Sequence, residues 1–168
     1  MAVQVAVCGP RYCTSGDEQD AHRVGQLLAE RGAVVICGGG VGVMAAVAAG
    51  ARSRGGVVVG IRPGADRAGA SPDLTVTVVT NMGEARNAII VWSADAVIAV
   101  GGSWGTLSEV AFAMRRGTVP VVTLGGWRVV DSEGVPVPGL IVAASPEEAV
   151  GTALARAGSA SAGDTARP

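Results

Sequence analysis

Lysine is absent from this chain of 168 residues; all 13 basic residues are arginine. With no ε-amine, no side chain can form a Schiff base with pyridoxal phosphate, so chemistry built on that cofactor is excluded. The Gly-Lys-Ser/Thr loop of nucleoside triphosphatases is excluded for the same reason. Histidine is nearly absent too. The single His22 cannot supply a multi-histidine metal site, and a Ser-His-Asp triad would rest on it alone. Its place on a polar helix face predicts a surface residue. The three cysteines, Cys8, Cys13 and Cys37, show no metal spacing, and their odd number argues against a disulfide framework. A formal charge of −1 exerts no global pull on nucleic acid or anionic membrane. The longest apolar stretch, Ala88 to Val100, is interrupted by Ser93 and Asp95 and is too short for a membrane span. Met1-Ala2-Val3-Gln4-Val5 lacks the basic end and cleavage site of a secretory signal. These features predict a cytoplasmic protein with no metal, no nucleic-acid partner and no membrane partner.

Small apolar residues and glycine are abundant. Apolar residues make up 49% of the chain, aromatics 3%, and there are 26 glycines, a composition that fits a parallel sheet covered by helices. The apolar periodicity predicts strands over 3–8, 33–37, 57–61, 74–79, 96–100, 119–124 and 140–142. Helices are predicted over 17–31, 43–54, 83–92 and 106–116. A last helix starts at Ser145-Pro146-Glu147-Glu148, where an N-cap serine, a first-turn proline and a capping-box glutamate coincide. Residues 127–138 read as a hairpin or loop excursion. Alternating strands and helices define an α/β class: a single Rossmann-like domain over 1–157, with a doubly wound, mostly parallel sheet of about 6–7 strands and helices on both faces. Residues 158–168 are small and polar, and a disordered tail is expected there.

Two segments repeat one device. Val35-Ile36-Cys37-Gly38-Gly39-Gly40-Val41-Gly42-Val43-Met44 aligns without gaps on Ile98-Ala99-Val100-Gly101-Gly102-Ser103-Trp104-Gly105-Thr106-Leu107. Each reads as a buried strand, a glycine turn and a helix start, where unpaired N–H groups and the helix dipole favour an anion such as phosphate. The purely steric reading is that the glycines only permit tight turns. Gly40-Val41-Gly42-Val43-Met44-Ala45 fits the G-x-G-x-x-A dinucleotide fingerprint, but it follows the second strand. About 20 residues on stand Gly60, Ile61 and Arg62, with no acid for a ribose hydroxyl, which argues against NAD. Arg62 leaves an opening for a 2′-phosphate. Glu109 carries two readings: the end of a Thr106-Leu107-Ser108-Glu109 capping box, or a carboxylate at the sheet edge acting on a ribose or leaving group. Of Trp104 and Trp127, at least one is expected in the core.

Cys37-Gly38-Gly39-Gly40-x-Gly42-x-Met44, Ala85-Arg86-Asn87, and Gly101-Gly102-Ser103-Trp104-Gly105-Thr106-Leu107-Ser108-Glu109 together resemble the LOG-like superfamily. That group includes the Lonely Guy cytokinin-activating phosphoribohydrolases and proteins labelled lysine decarboxylases. The resemblance runs from about Val3 to Val150, and its most specific part is the G-G-x-x-G-T-x-x-E segment. It implies that Arg86 and Glu109 correspond to the catalytic pair that cleaves the N-glycosidic bond of a nucleoside 5′-monophosphate. It implies phosphate or nucleotide binding by Gly9, Gly38, Gly39, Gly40, Gly42, Met44, Arg86, Asn87, Gly101, Gly102, Ser103, Gly105 and Thr106. Val100 stands where the family has proline, Asn87 where it has lysine, and Ala85 where it has an acid. The Arg-Asn version is more similar to the branch of molybdenum-cofactor carrier proteins, which bind a phosphorylated pterin. The expected partner is thus a phosphorylated small molecule, a nucleotide or a molybdopterin-type cofactor. No cofactor is required for activity, and a homodimer or dimer of dimers is expected.

Overall fold

The structure, a computed structural model, describes the chain through Gly163. Seven strands form one sheet: β1 (Gln4–Cys8), β2 (Val34–Cys37), β3 (Val58–Arg62), β4 (Val76–Val79), β5 (Ala96–Val100), β6 (Val121–Leu124) and β7 (Leu140–Ala143). Their spatial order is β4-β3-β2-β1-β5-β6-β7, and every pairing is parallel. The central strands are apolar on both faces because both are covered, as a parallel sheet requires. Alternation along β1 sends Val5 and Val7 into one core cluster and Ala6 and Cys8 into the other.

Helices α1 (Ser15–Glu30), α2 (Val43–Arg52) and α5 (Pro146–Gly163) cover the first face. Helices α3 (Arg86–Trp92) and α4 (Trp104–Arg116) cover the second. Helix α1 begins two residues before its expected start because Thr14 caps it. The Asp17 amide donates to the Thr14 hydroxyl, and the Asp17 carboxylate accepts from the Thr14 amide. Helix α1 crosses α2 on glycine. A Cβ on Gly25 would run into the Val47 carbonyl oxygen, and one on Gly50 into the His22 carbonyl oxygen. Those glycines let the two backbones touch.

Residues 127–138 hold a single antiparallel bridge, Val130 to Pro136, with the Asp131 carboxylate accepting from the Glu133 and Val135 amides. The disordered tail expected from Gly158 is corrected in part. Helix α5 continues to Gly163, carried by alanine's helix propensity and anchored by buried Ala153 and Ala157. Residues 164–168 lie outside the described residues.

The fold creates one topological switch point. Strands are added outward from β1 through β2, β3 and β4; the chain then returns to the other side of β1 with β5. The loops leaving β1 and β5 therefore diverge, and a crevice opens at the carboxyl ends of these two strands.

Candidate functional site

A cavity of about 350 Å³ occupies that crevice, within the size range of small-molecule sites. Cys8 and Gly9 come from the end of β1, and Gly38 and Met44 from the β2–α2 turn. Arg86 and Asn87 come from the start of α3, and Ser103, Gly105, Thr106 and Glu109 from the start of α4. Gly83–Ala85 forms a 3-10 turn that delivers the chain into α3, so Arg86 and Asn87 arrive together at the rim of the sheet.

Arg86 and Glu109 converge. The Arg86 Nη1 lies 3.8 Å from Glu109 Oε1, with both side chains largely buried. That separation is too long for a hydrogen bond. Arg86 Nε and Nη1 are shielded and have no hydrogen-bond partner. Burial pushes the Glu109 carboxyl up to about 7, against the opposing pull of Arg86 and of a hydrogen bond from the Cys8 thiol. The Cys8 thiol is itself driven well above its ordinary value, by burial first and then by Glu109. The floor of the cleft thus holds a cation with free donors, a carboxyl poised near neutrality and a protonated thiol.

Helix α4 starts at Trp104 with Ser103 as its N-cap. The Thr106 amide donates to Ser103 Oγ at 3.2 Å, and the two hydroxyls lie 2.9 Å apart. The capping-box reading of Glu109 is therefore corrected: Ser103 caps three residues earlier than expected, and Glu109 sits inside the helix facing the cleft. The first-turn amides of Trp104 and Gly105 have no partner within the helix, as at any helix start. Ser103 and Gly105 both line the cavity.

Five glycines expected at the ligand do not line this cleft; they pack against protein. A Cβ on Gly39 would lie 3.0 Å from Gly60 and 3.2 Å from Arg62, and one on Gly40 3.2 Å from Met44. The Gly39 carbonyl accepts from Arg62 Nη1 and from the Ser71 amide. Gly42 backs onto the carbonyls of Pro10 and Arg11, and the Val43 amide beside it donates to Pro10. Gly101 faces the Asp17 carboxylate and Gly102 the Trp127 ring, with contacts of 2.9 and 2.7 Å to a Cβ placed there. The first turn thus presents only Gly38 and Met44 to the cleft, and the second only its helical end. Neither tryptophan is in the core. Trp104 is 79% exposed and meets half-exposed Trp127 edge to face, with centroids 4.9 Å apart.

Cys8, Arg11, Pro63 and Glu84, which no motif of the sequence marks, also line the cavity. Cys8 had a signal: it ends the first strand, beside Gly9, and the first strand borders any switch-point crevice. Arg62 is a pin, not a cleft residue. It donates to the carbonyls of Gly39 and Ala68, and burial, then Arg86 and Arg11, pull its guanidinium below the ordinary arginine value. Among the described residues no helix is long and apolar enough to cross a membrane.

A parallel Rossmann-like sheet with an arginine–glutamate cleft at its switch point places the chain in the LOG-like class, as its motifs imply. The chain belongs to the SLOG cluster4 family, which it matches over residues 2–150. It is 43% identical over 140 residues to an uncharacterized protein of Archaeoglobus fulgidus, covering 77% of this chain and 89% of that one. It is similar in structure to the molybdenum cofactor binding protein of the phototrophic bacterium Rippkaea orientalis. That match has a TM-score of 0.82 and 34% identity, and covers 92% of this chain and 97% of that one. The Moco carrier protein of Chlamydomonas reinhardtii matches with a TM-score of 0.82 and 28% identity, over 95% and 99% of the two chains.

Proposed function

We propose that the cleft binds a phosphorylated small molecule, a nucleoside monophosphate or a phosphorylated pterin cofactor, and that the protein is a binding or carrier protein. The observation that carries this reading is Arg86: a shielded guanidinium with two unpartnered nitrogens, facing a cavity that also meets the start of α4. A buried cation with free donors costs stability unless an anion completes it. Phosphate supplies three acceptor oxygens and suits both a guanidinium and a helix start. The similarity to proteins that bind or carry the molybdenum cofactor supports the pterin arm, and the same two features fit that cofactor's phosphate end. Pyridoxal phosphate has no lysine to hold it.

One observation favours a second reading, a phosphoribohydrolase acting on a nucleoside 5′-monophosphate. Glu109 is buried beside Arg86 with its carboxyl raised to about 7, a value suited to proton transfer at neutral pH. In that reading Glu109 accepts a proton from water or from a ribose hydroxyl, and Arg86 holds the substrate. Calorimetric titration with AMP and with a phosphorylated pterin, alongside chromatography for free adenine, tests both readings. Micromolar binding without base release supports a carrier, and base release supports the hydrolase. Failure of every phosphate ester to bind at millimolar concentration overturns both.

The exposed face that carries Trp92, 62% exposed, and Phe112, 39% exposed, is assigned to contact with a second copy, giving a homodimer or dimer of dimers. A monomer mass by light scattering at micromolar concentration would remove that assignment.

A further inference from the structure

Asn87 borders the same cleft and is only 6% exposed. Its Nδ2 donates to Ser108 Oγ at 3.1 Å. Ser108 has one hydroxyl hydrogen, and that hydrogen is directed to the Gly105 carbonyl at 2.7 Å. Ser108 must therefore accept from Asn87, which fixes the carboxamide with its nitrogen toward α4. Its oxygen accepts no hydrogen bond from the described residues. The oxygen is not among the sealed polar atoms that lack a partner, so it is open to the cavity that Asn87 lines, where water or a ligand donates to it. Arg86, the preceding residue, offers only donors. The two neighbours therefore present opposite polarities to the cavity. A lysine, which the Lonely Guy pattern carries at the Asn87 position, would present donors alone.

We infer that Asn87 is the specificity residue of this cleft: its Oδ1 accepts a hydrogen bond from a sugar hydroxyl adjacent to the ligand's phosphate, and Ser108 is the positioning residue that fixes this polarity. The inference rests on the reading of the cleft as a phosphate-ester site. The hydroxyl lies close to the phosphate because Asn87 follows Arg86 in sequence and is tied to the first turns of α4, the two elements assigned to the phosphate. The ligand class is accordingly a sugar phosphate with a free hydroxyl, such as the ribose of a nucleoside 5′-monophosphate. A fluorine in place of that hydroxyl can only accept, so it meets the Asn87 oxygen as a mismatch.

Calorimetric titration of the full chain with inorganic phosphate, AMP, and the 2′-fluoro and 3′-fluoro deoxy analogues of AMP tests the inference. The wild type is expected to bind AMP about 5- to 100-fold more tightly than one of the fluoro analogues, the range for a buried acceptor left unpaired. Asn87→Leu should bring that ratio below about threefold. Ser108→Ala, which leaves the packing of Asn87 in place, should also narrow the ratio, because the freed amide can turn its N–H toward fluorine. Should Asn87→Leu fail to fold, Ser108→Ala alone decides. An unchanged ratio in the variants, or a wild type that binds AMP and both analogues equally, overturns the assignment of Asn87 and leaves the phosphate site standing. A wild type that holds neither inorganic phosphate nor AMP overturns this inference, and the cleft reading falls with it when the phosphorylated pterin fails to bind as well.

Discussion

Arg86 and Glu109 approach to 3.8 Å in the interior of the cleft yet do not hydrogen-bond. Burial raises the Glu109 carboxyl against the pull of Arg86 and of the Cys8 thiol, and Arg86 keeps Nε and Nη1 without partners. A pair optimised for stability would close that gap with two parallel bonds. Here the carboxyl is held near neutrality by burial, so its charge compensates the guanidinium only partly. The arrangement leaves the cation available to an external anion.

Removing Arg86 should separate binding from folding. Arg86→Ala is expected to weaken binding of AMP or another phosphate ester by roughly 1.5–3 kcal/mol, the range for a charged hydrogen bond. The same change should leave unfolding free energy of the free protein equal or raised, because the lost guanidinium was not fully paired. Urea denaturation and calorimetry on the same preparation check both parts. Unchanged affinity would remove Arg86 from the site.

Glu109 makes stability pH-dependent. Burial raises its carboxyl from 4.5 to about 7, so between those values the folded protein keeps a proton that the unfolded chain releases. The contribution from this residue is most favourable below about 4.5 and declines as pH rises through about 7, by at most roughly 3 kcal/mol. Glu109→Gln should abolish this dependence. Compared with the wild type it should gain about 1–3 kcal/mol on going from pH 5 to pH 8, read by urea denaturation at both values. Parallel stability profiles for the two proteins would show that Glu109 ionises normally.

The sheet was legible because its strands are short apolar runs separated by helical periodicity. Val97, Ile98 and Val100 in β5 cannot be half-exposed, so burial on both faces and parallel pairing follow. The convergence of Arg86 and Glu109 was legible through the strand order. What packs against the glycine turns was not. Gly101 and Gly102 look as open as Gly38 in one dimension, and only the fold brings Asp17, Gly126 and Trp127 over them. The start of α4 was misplaced for a similar reason. Both Ser103 and Thr106 are competent caps, and the choice between them depends on where β5 delivers the chain.

The thiols should differ sharply in reactivity. Cys8 and Cys37 are buried; burial raises Cys37 to about 11 and Cys8 well above its ordinary range. Cys13 is partly accessible, and burial, then Glu18 and Asp17, raise it as well. Since the thiolate is the reactive form, a disulfide reagent at pH 7.5 should label one thiol in the folded protein, more slowly than free cysteine. In denaturant it should label all three present in the chain. Rapid labelling of Cys8 would show that the cleft floor opens readily.

Glycine substitutions in two helices should act with opposite signs. In α1, a Cβ on Gly25 would strike the Val47 carbonyl and stand 2.8 Å from the Ala51 amide nitrogen, both backbone atoms of α2. Neither can yield as a flexible side chain would, so α1 and α2 must move apart. Such overpacking costs about 1–3 kcal/mol, which exceeds the gain of roughly 1 kcal/mol from alanine's better helix propensity. Gly151 lies in α5 with nothing within 4 Å of the same position, so only the propensity term acts there. Gly25→Ala is therefore expected to lower the unfolding free energy, and Gly151→Ala to raise it by about 0.5–1 kcal/mol. Urea denaturation of the two variants reads the signs directly. A stabilised Gly25→Ala would mean that the α1–α2 crossing is looser than the carbonyl contact indicates.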